Sequence, residues 1–333
     1  MENEFLMQLN ESLQNEIFLQ SYREYAKKGM RRKNMFLTKI LNFLISTRDF
    51  KNIGYYIENF SLSYVDSDYR RCFPYDYLKS KGLSKDESEK IIYDNFIKNG
   101  FLFHITPDAN LSEILQNGLQ TLNDRTKRNM YDETLMVNRL YEKIRKRNSG
   151  MFSMSTLISI PGGDIYLNEE RFDSIYLSSN LDYALKTYGL SSEISTLFVR
   201  DFFEAFKNKV PYEKMDKEEI RVNIIETLES HPGQIYDHEI ESIVGYFNRI
   251  YPDKEDLSSK TNQSIIMVPT PTVNTDDKSF DILYRDGALK YAPEVIIEFN
   301  NGEVTNKGSI STDNLIALNP TSGKVLTLKK SNN

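Results

Sequence analysis

Tryptophan is absent from the 333 residues, cysteine occurs once and histidine three times. A lone Cys72 excludes an intrachain disulfide and any cysteine-based zinc site. It sits beside Arg70 and Arg71 without a base positioned to activate it, so it reads as incidental. His231 and His238 have no metal-ligand spacing to each other or to acids on one face, and read as structural. No apolar run approaches the roughly 18 residues of a membrane helix. The N-terminus, Met-Glu-Asn-Glu-Phe-Leu, carries acids where a signal peptide is basic. The expectation is a chain folded in a reducing cytoplasm, or delivered into a host cell without a cleavable signal. There is no Gly-x-Ser-x-Gly elbow and no His-Glu-x-x-His pair, and Gly162-Gly163 lacks both the Lys-Ser/Thr sequel and the Rossmann spacing. Serine-hydrolase, zincin and glycine-loop nucleotide chemistries are thereby set aside.

What is present is ordinary globular material. Hydrophobic content is 39%, charged content 27%, and 21 tyrosines with 19 phenylalanines supply aromatic core. The length fits about two domains. Richness in Lys, Asn and Ile accords with an AT-rich, bacterial coding sequence. Net charge is -6 but uneven: residues 1–150 hold 24 Lys plus Arg against 20 Asp plus Glu, and the remainder 18 against 28. The basic excess gathers at Lys27, Lys28, Arg31, Arg32 and Lys33, and again at Arg139, Lys143, Arg145, Lys146 and Arg147. Such clusters serve either as solvated helix faces or as sites for phosphates or an acidic partner.

Periodicity makes residues 1–99 helical, with stripes at Phe5, Leu6, Leu9, Leu13, Ile17 and Phe18 and again from Met35 to Ile45. Ser84 and Glu87 form a capping box. The helix they open runs without a linker into Phe101-Leu-Phe-His-Ile-Thr-Pro-Asp-Ala-Asn-Leu-Ser-Glu-Ile-Leu-Gln-Asn-Gly-Leu119. Here a short strand is expected to end at His104, placing the ring at a sheet rim. Pro107-Asp108 should turn, and a short helix should close at a left-handed Gly118 cap. A second strand–turn–helix follows at Ile175-Tyr176-Leu177-Ser178-Ser179, with Ala184 and Tyr188 on the helix. Residues 132–147 read as a helix and 190–257 as a helical block. Strands are expected near 264–268, 280–284 and 295–299, with short edge strands at Val304, Ile310, 315–318 and 325–328.

The ordered pair of motifs resembles the ADP-ribosyltransferase superfamily, in its diphtheria-toxin and poly(ADP-ribose)-polymerase-like branch. The resemblance is carried by His104-Ile105-Thr106 before Ile114-Leu115-Gln116-Asn117-Gly118-Leu119, then by Ile175-Tyr176-Leu177-Ser178-Ser179 before Ala184 and Tyr188. It covers about 101–119, 172–189 and 264–299, and neither the first hundred residues nor the helical block. It implies an α/β (α+β) chain: a split antiparallel sheet, an N-terminal helical domain over 1–99, and a transferase domain over 100–333 interrupted at about 190–257.

The resemblance further implies an NAD site. His104 would bond the adenosine ribose and Thr106 the ribose or the nicotinamide amide. Tyr176 would stack on nicotinamide, with Ser178 and Tyr188 completing the pocket; a cationic ring suits a tyrosine face. The family's catalytic glutamate aligns nearest Phe280-Asp281-Ile282-Leu283-Tyr284, where direct register puts Asp281 one place late. A one-residue slip turns a strand side chain to the other face unless a bulge restores it. Asp281, Glu294, Glu298 or an acid of the helical block are therefore the candidate carboxylates. The implied function is single-unit ADP-ribosyl transfer from NAD to a protein or nucleic acid, in a toxin, effector or phage-defence setting with an inhibitory partner protein. Two other readings stand beside it: a catalytically inactive binding module of the same fold, and a tRNA 2′-phosphotransferase-like enzyme.

Overall fold

The computed structural model describes residues 2–58, 73–95, 100–147, 172–178, 181, 184–185, 198–200, 202–203, 206, 208–230, 235–251, 263–273, 303–319 and 324–327. The chain opens on three helices, α1 (Glu2–Gln14), α2 (Glu16–Lys27) and α3 (Met30–Thr47). Asn15 caps α2, its side chain accepting from the Ile17 amide. Gly29, at φ 105°, makes the corner between α2 and α3. Residues 53–58 are helical, then α4 (Phe73–Ser80) and α5 (Lys85–Tyr93) follow. The expected Ser84–Glu87 capping box is present in both directions.

The sheet is antiparallel throughout. Its strands are β1 (Phe101–Pro107), β2 (Ser174–Ser178), β3 (Gln263–Pro269), β4 (Glu303–Lys307), β5 (Ile316–Asn319) and β6 (Lys324–Thr327). Their spatial order is β4-β2-β1-β3-β5-β6, so the class is α+β, helices with an antiparallel sheet. β1 is central and runs three residues past His104, because β3 pairs with it at every position from Phe101↔Pro269 to Pro107↔Gln263. His104 thus lies mid-strand, not at the strand end its apolar run implied. The expected short edge strands divide: β4 and β6 are edges, while β5 is interior, held between β3 and β6.

After β1 a short turn at Asp108–Asn110 leads to α6 (Leu111–Asn117). Gly118 follows with φ 81° and ψ -174°. This is positive-φ backbone, but extended rather than the left-handed helical cap that the sequence implied. The extension turns Leu119 onto Ile310, which it meets in a two-way bridge, Leu119 N to Ile310 O at 3.0 Å and Ile310 N to Leu119 O at 2.8 Å.

One apolar cluster runs from the N-terminal helices into the sheet, joining Leu9, Leu13, Phe36 and Ile40 to Phe101, Phe103, Ile266 and Leu318. Phe5 of α1 stacks on Phe101 at 5.2 Å between ring centroids, so the N-terminal helices lie on the Phe101 face. Arg48 carries its guanidinium 3.9 Å from the centre of the same Phe5 ring. α1 also packs along the edge strand β6, covering a row of backbone groups that would otherwise invite another strand.

A second cluster is separate. It gathers Met130 and Val137 from α8 (Met130–Arg147) with Phe172, Phe198, Phe202 and Phe203. α9 (Lys217–Glu229) contributes Ile220, Ile224 and Leu228, and α10 (Asp237–Ile250) contributes Ile243, Tyr246 and Phe247. A small helix, α7 (Leu122–Thr126), leads into α8. The helical block after 190 therefore shares its core with α8, an earlier segment that its sequence spacing did not place there. Thr134 and Tyr246 share a buried hydroxyl bond of 2.8 Å, and Arg249 Nε meets Glu133 at 2.5 Å.

A Cβ at Gly118 would lie 2.2 Å from the Ile310 carbonyl oxygen, whereas Gly82, also at positive φ, has open space around it. Gly118→Ala should therefore destabilise by about 2–3 kcal/mol, strain plus a broken bridge, and Gly82→Ala by about 1 kcal/mol. Urea unfolding of the two variants checks the order; equal losses would remove the packing role of Gly118.

Candidate functional site

β1 is paired unequally on its two sides. Along β3 it is paired over its whole length. With β2, among the described residues, it pairs at Phe103↔Ser178 alone. Beyond that pair the register would set His104 against Leu177 and Ile105 against Tyr176, and the ladder stops. β1 and β2 are nevertheless neighbours in the one six-stranded sheet.

His104 reaches across from β1 to β2. Its Nδ1 lies 3.1 Å from the Tyr176 backbone carbonyl. A carbonyl has no proton to give, so Nδ1 is the donor in this bond. In the neutral ring Nε2 is then the acceptor. The bond thus selects a tautomer and holds the ring plane, as second partners do for functional histidines. The imidazole is half-buried.

Strand alternation gives His104 two polar neighbours on its own face. Thr106, next on that face of β1, is 2% exposed and lies directly opposite Ser264 of β3. Its hydroxyl accepts from Asn110 Nδ2 at 3.4 Å. Ser264, fully buried, donates its hydroxyl to Asp108 Oδ1 at 2.6 Å. A polar strip of His104, Thr106 and Ser264 therefore runs along the centre of the sheet and is tied to Asp108 and Asn110 of the following turn. Buried hydroxyls at such a place need partners, and here the turn after β1 supplies them. Asp108, Asn110 and Ser264 were not singled out from sequence. The residue opposite Thr106 in a neighbouring strand becomes known only with the register.

Lys33 stands in the first turn of α3. Burial pushes its ammonium below the ordinary lysine range, and the negative charge of Asp108 pulls it back up. Its Nζ lies 5.3 Å from the centre of the Tyr22 ring. Sequence had placed Lys33 in a basic run but had not linked it to the Thr106 turn.

Of the expected site residues, His104 and Tyr176 are brought together, through the imidazole and a backbone carbonyl. Counted from the Phe103↔Ser178 pair, the Tyr176 ring belongs to the Phe103 and Ile105 face, and His104 to the other. Tyr176 is half-buried and sits opposite Thr305 of β4. Ser178 is fully buried, paired between Phe103 and Glu303. Tyr188, Asp281, Glu294 and Glu298 lie outside the described residues, as do Cys72, His231 and the strands expected near 280–284 and 295–299. His238 is exposed and stacks against Tyr236, 5.8 Å between ring centroids. Among the described residues no group of histidine, cysteine and acid side chains could hold a metal ion, and no helix is long and apolar enough to cross a membrane.

No protein-family model, curated protein or solved structure matches the chain.

The tautomer is directly observable. At neutral pH a long-range proton–nitrogen correlation spectrum should show His104 protonated at Nδ1 with a bare, acceptor-type Nε2. A signal for the opposite tautomer would mean that the bond to Tyr176 does not form.

Proposed function

We propose that the chain is an NAD-dependent mono-ADP-ribosyltransferase with a split antiparallel sheet of the ADP-ribosyltransferase type. The observation that carries the reading is the His104 bond to the Tyr176 carbonyl. It unites the two short motifs on which the resemblance rests, 72 residues apart. Nε2 of this tautomer would accept a hydrogen bond from a ribose hydroxyl, the contact assigned to His104. Thr106, with its hydroxyl already oriented by Asn110, offers a second ribose or amide contact. Stacking by Tyr176 asks that the ligand reach its ring on the Phe103 face.

In the reaction, the bond between the nicotinamide nitrogen and C1′ of its ribose breaks. Nicotinamide leaves with the bonding pair, neutral. The acceptor's oxygen or nitrogen bonds to C1′ of the oxocarbenium-like ribose, and its proton passes to a carboxylate or to water. Asp281, Glu294 and Glu298 are the candidates for that carboxylate. An enzyme that lacked it would bind NAD and leave it intact, which is the binding-module reading.

Incubation of the full chain with labelled NAD and cell lysate should release nicotinamide and label a macromolecule. His104→Ala should weaken NAD binding about 10–100-fold, the cost of one hydrogen bond to a buried polar partner plus its orientation. Tyr176→Ala should do the same if its ring stacks. Substituting the true carboxylate should abolish release with binding retained. Absence of both label and nicotinamide release from the unaltered chain would overturn the enzymatic claim.

A further inference from the structure

Strand pairing puts a carboxylate on the face of the sheet that carries His104. Directly opposed residues share a face, and Thr106 stands opposite Ser264. Ser264 is fully buried and donates its hydroxyl to Asp108 Oδ1 at 2.6 Å. That bond holds the Asp108 side chain, which belongs to the turn after β1, at the level of Thr106, two residues from His104. Two residues along β1 and one strand across separate the His104 ring from the carboxylate by on the order of 8–9 Å. Both groups are half-buried and so within reach of a ligand, while Thr106 and Ser264, 2% and 0% exposed, form the floor between them.

The two reachable groups present the same kind of atom. Nε2 of His104 is an acceptor, because Nδ1 donates to the Tyr176 carbonyl. An ionised carboxylate only accepts, and it has about four lone-pair sites, of which Ser264 uses one. A ligand that bridges them must therefore bring donors. A ribose does so, since its hydroxyls cross the gap with a hydrogen bond of about 2.8 Å at each end. A phosphate ester on that sugar brings lone pairs and negative charge to a place that already holds both.

We infer that Asp108 is a specificity-determining residue of the His104 site: it accepts from the ribose that His104 holds and excludes a ligand phosphorylated on that sugar. The assignment rests on the NAD reading, in which that sugar is the adenosine ribose. The selected class is then the dinucleotide with an unsubstituted adenosine ribose, NAD and not NADP. The chemistry is general: an acid on the ribose hydroxyl suits NAD, whereas an arginine at such a place accommodates the 2′-phosphate. Lys33 offsets part of the Asp108 charge, but it changes the acceptor character of neither group. Ser264 acts through Asp108 as a positioning residue. Its bond fixes the carboxylate before the ligand arrives, so less side-chain freedom is lost on binding.

Calorimetric titration of the full chain with NAD and with NADP tests the assignment. The unaltered chain should bind NADP at least about tenfold more weakly than NAD, through a lost charge-assisted hydrogen bond and like-charge repulsion. Asp108→Asn keeps the shape and adds a donor amide. It should weaken NAD binding about 3–10-fold and narrow the preference for NAD over NADP at least about fivefold. Ser264→Ala should narrow that preference as well, because the carboxylate loses its clamp; a merely structural serine would lower stability and leave the ratio as it was. The proposal is overturned if the unaltered chain binds NADP as tightly as NAD, or if Asp108→Asn retains the full preference. An unaltered chain that binds neither dinucleotide sinks the NAD reading and this assignment with it. A chain that binds both equally sinks the assignment alone, so the two failures are distinct.

Discussion

The candidate site depends on the ladder between β1 and β3. It is unbroken over the seven residues of β1, so every backbone group facing β3 is engaged and β1 has no freedom to slide. A one-residue slip would send His104 and Thr106 to the opposite face. From that fixed position the His104 ring nitrogen reaches the Tyr176 carbonyl of β2. The same bond fixes which nitrogen of His104 accepts. Register and tautomer therefore form one chain of cause.

Helices outside the sheet hold β1 in place. Phe5 packs on Phe101 at the first residue of the strand, and Phe5 is itself covered by the Arg48 guanidinium. Burying a side chain of this size contributes about 1.5–3 kcal/mol, and Leu9 and Leu13 of α1 are fully buried in the same apolar cluster. The second cluster, of α8, α9 and α10, has its own aromatic interior and polar ties. α8 and Phe172 bring that cluster up to the residues that lead into β2. Phe172 packs in the helical core, while Ser174 two residues later already pairs with Lys307 in the sheet. The helical core thus reaches to where β2 begins.

Much of this was legible in the sequence, for reasons tied to range. The Ser84–Glu87 box and the apolar stripes of α1 and α3 are local patterns, and local geometry decides them. The apolar runs at 101–103, 175–177 and 264–268 marked β1, β2 and β3. Sequence failed where a distant partner decides. β1 continues through His104, Thr106 and Pro107 because β3 pairs with them, although their own residue types read as a strand end and a turn. Gly118 was recognised as a positive-φ position, but its ψ is set by Ile310, almost two hundred residues away. Ser264 and Asp108 became site residues only once register set Ser264 opposite Thr106. His104 and Tyr176 were singled out from sequence as a pair. That they meet through a carbonyl is information that side-chain identity does not carry.

Lys33 shows how the N-terminal helices and the site constrain each other. An ammonium loses hydration when it is buried, and the lowered proton affinity of Lys33 expresses that loss. Asp108 offsets part of it, and Asp108 is in turn held by Ser264 from β3. The pull on Lys33 thus comes from a carboxylate that a sheet strand holds. Replacing Asp108 by a neutral residue would leave the cation with its burial and without that counter-charge.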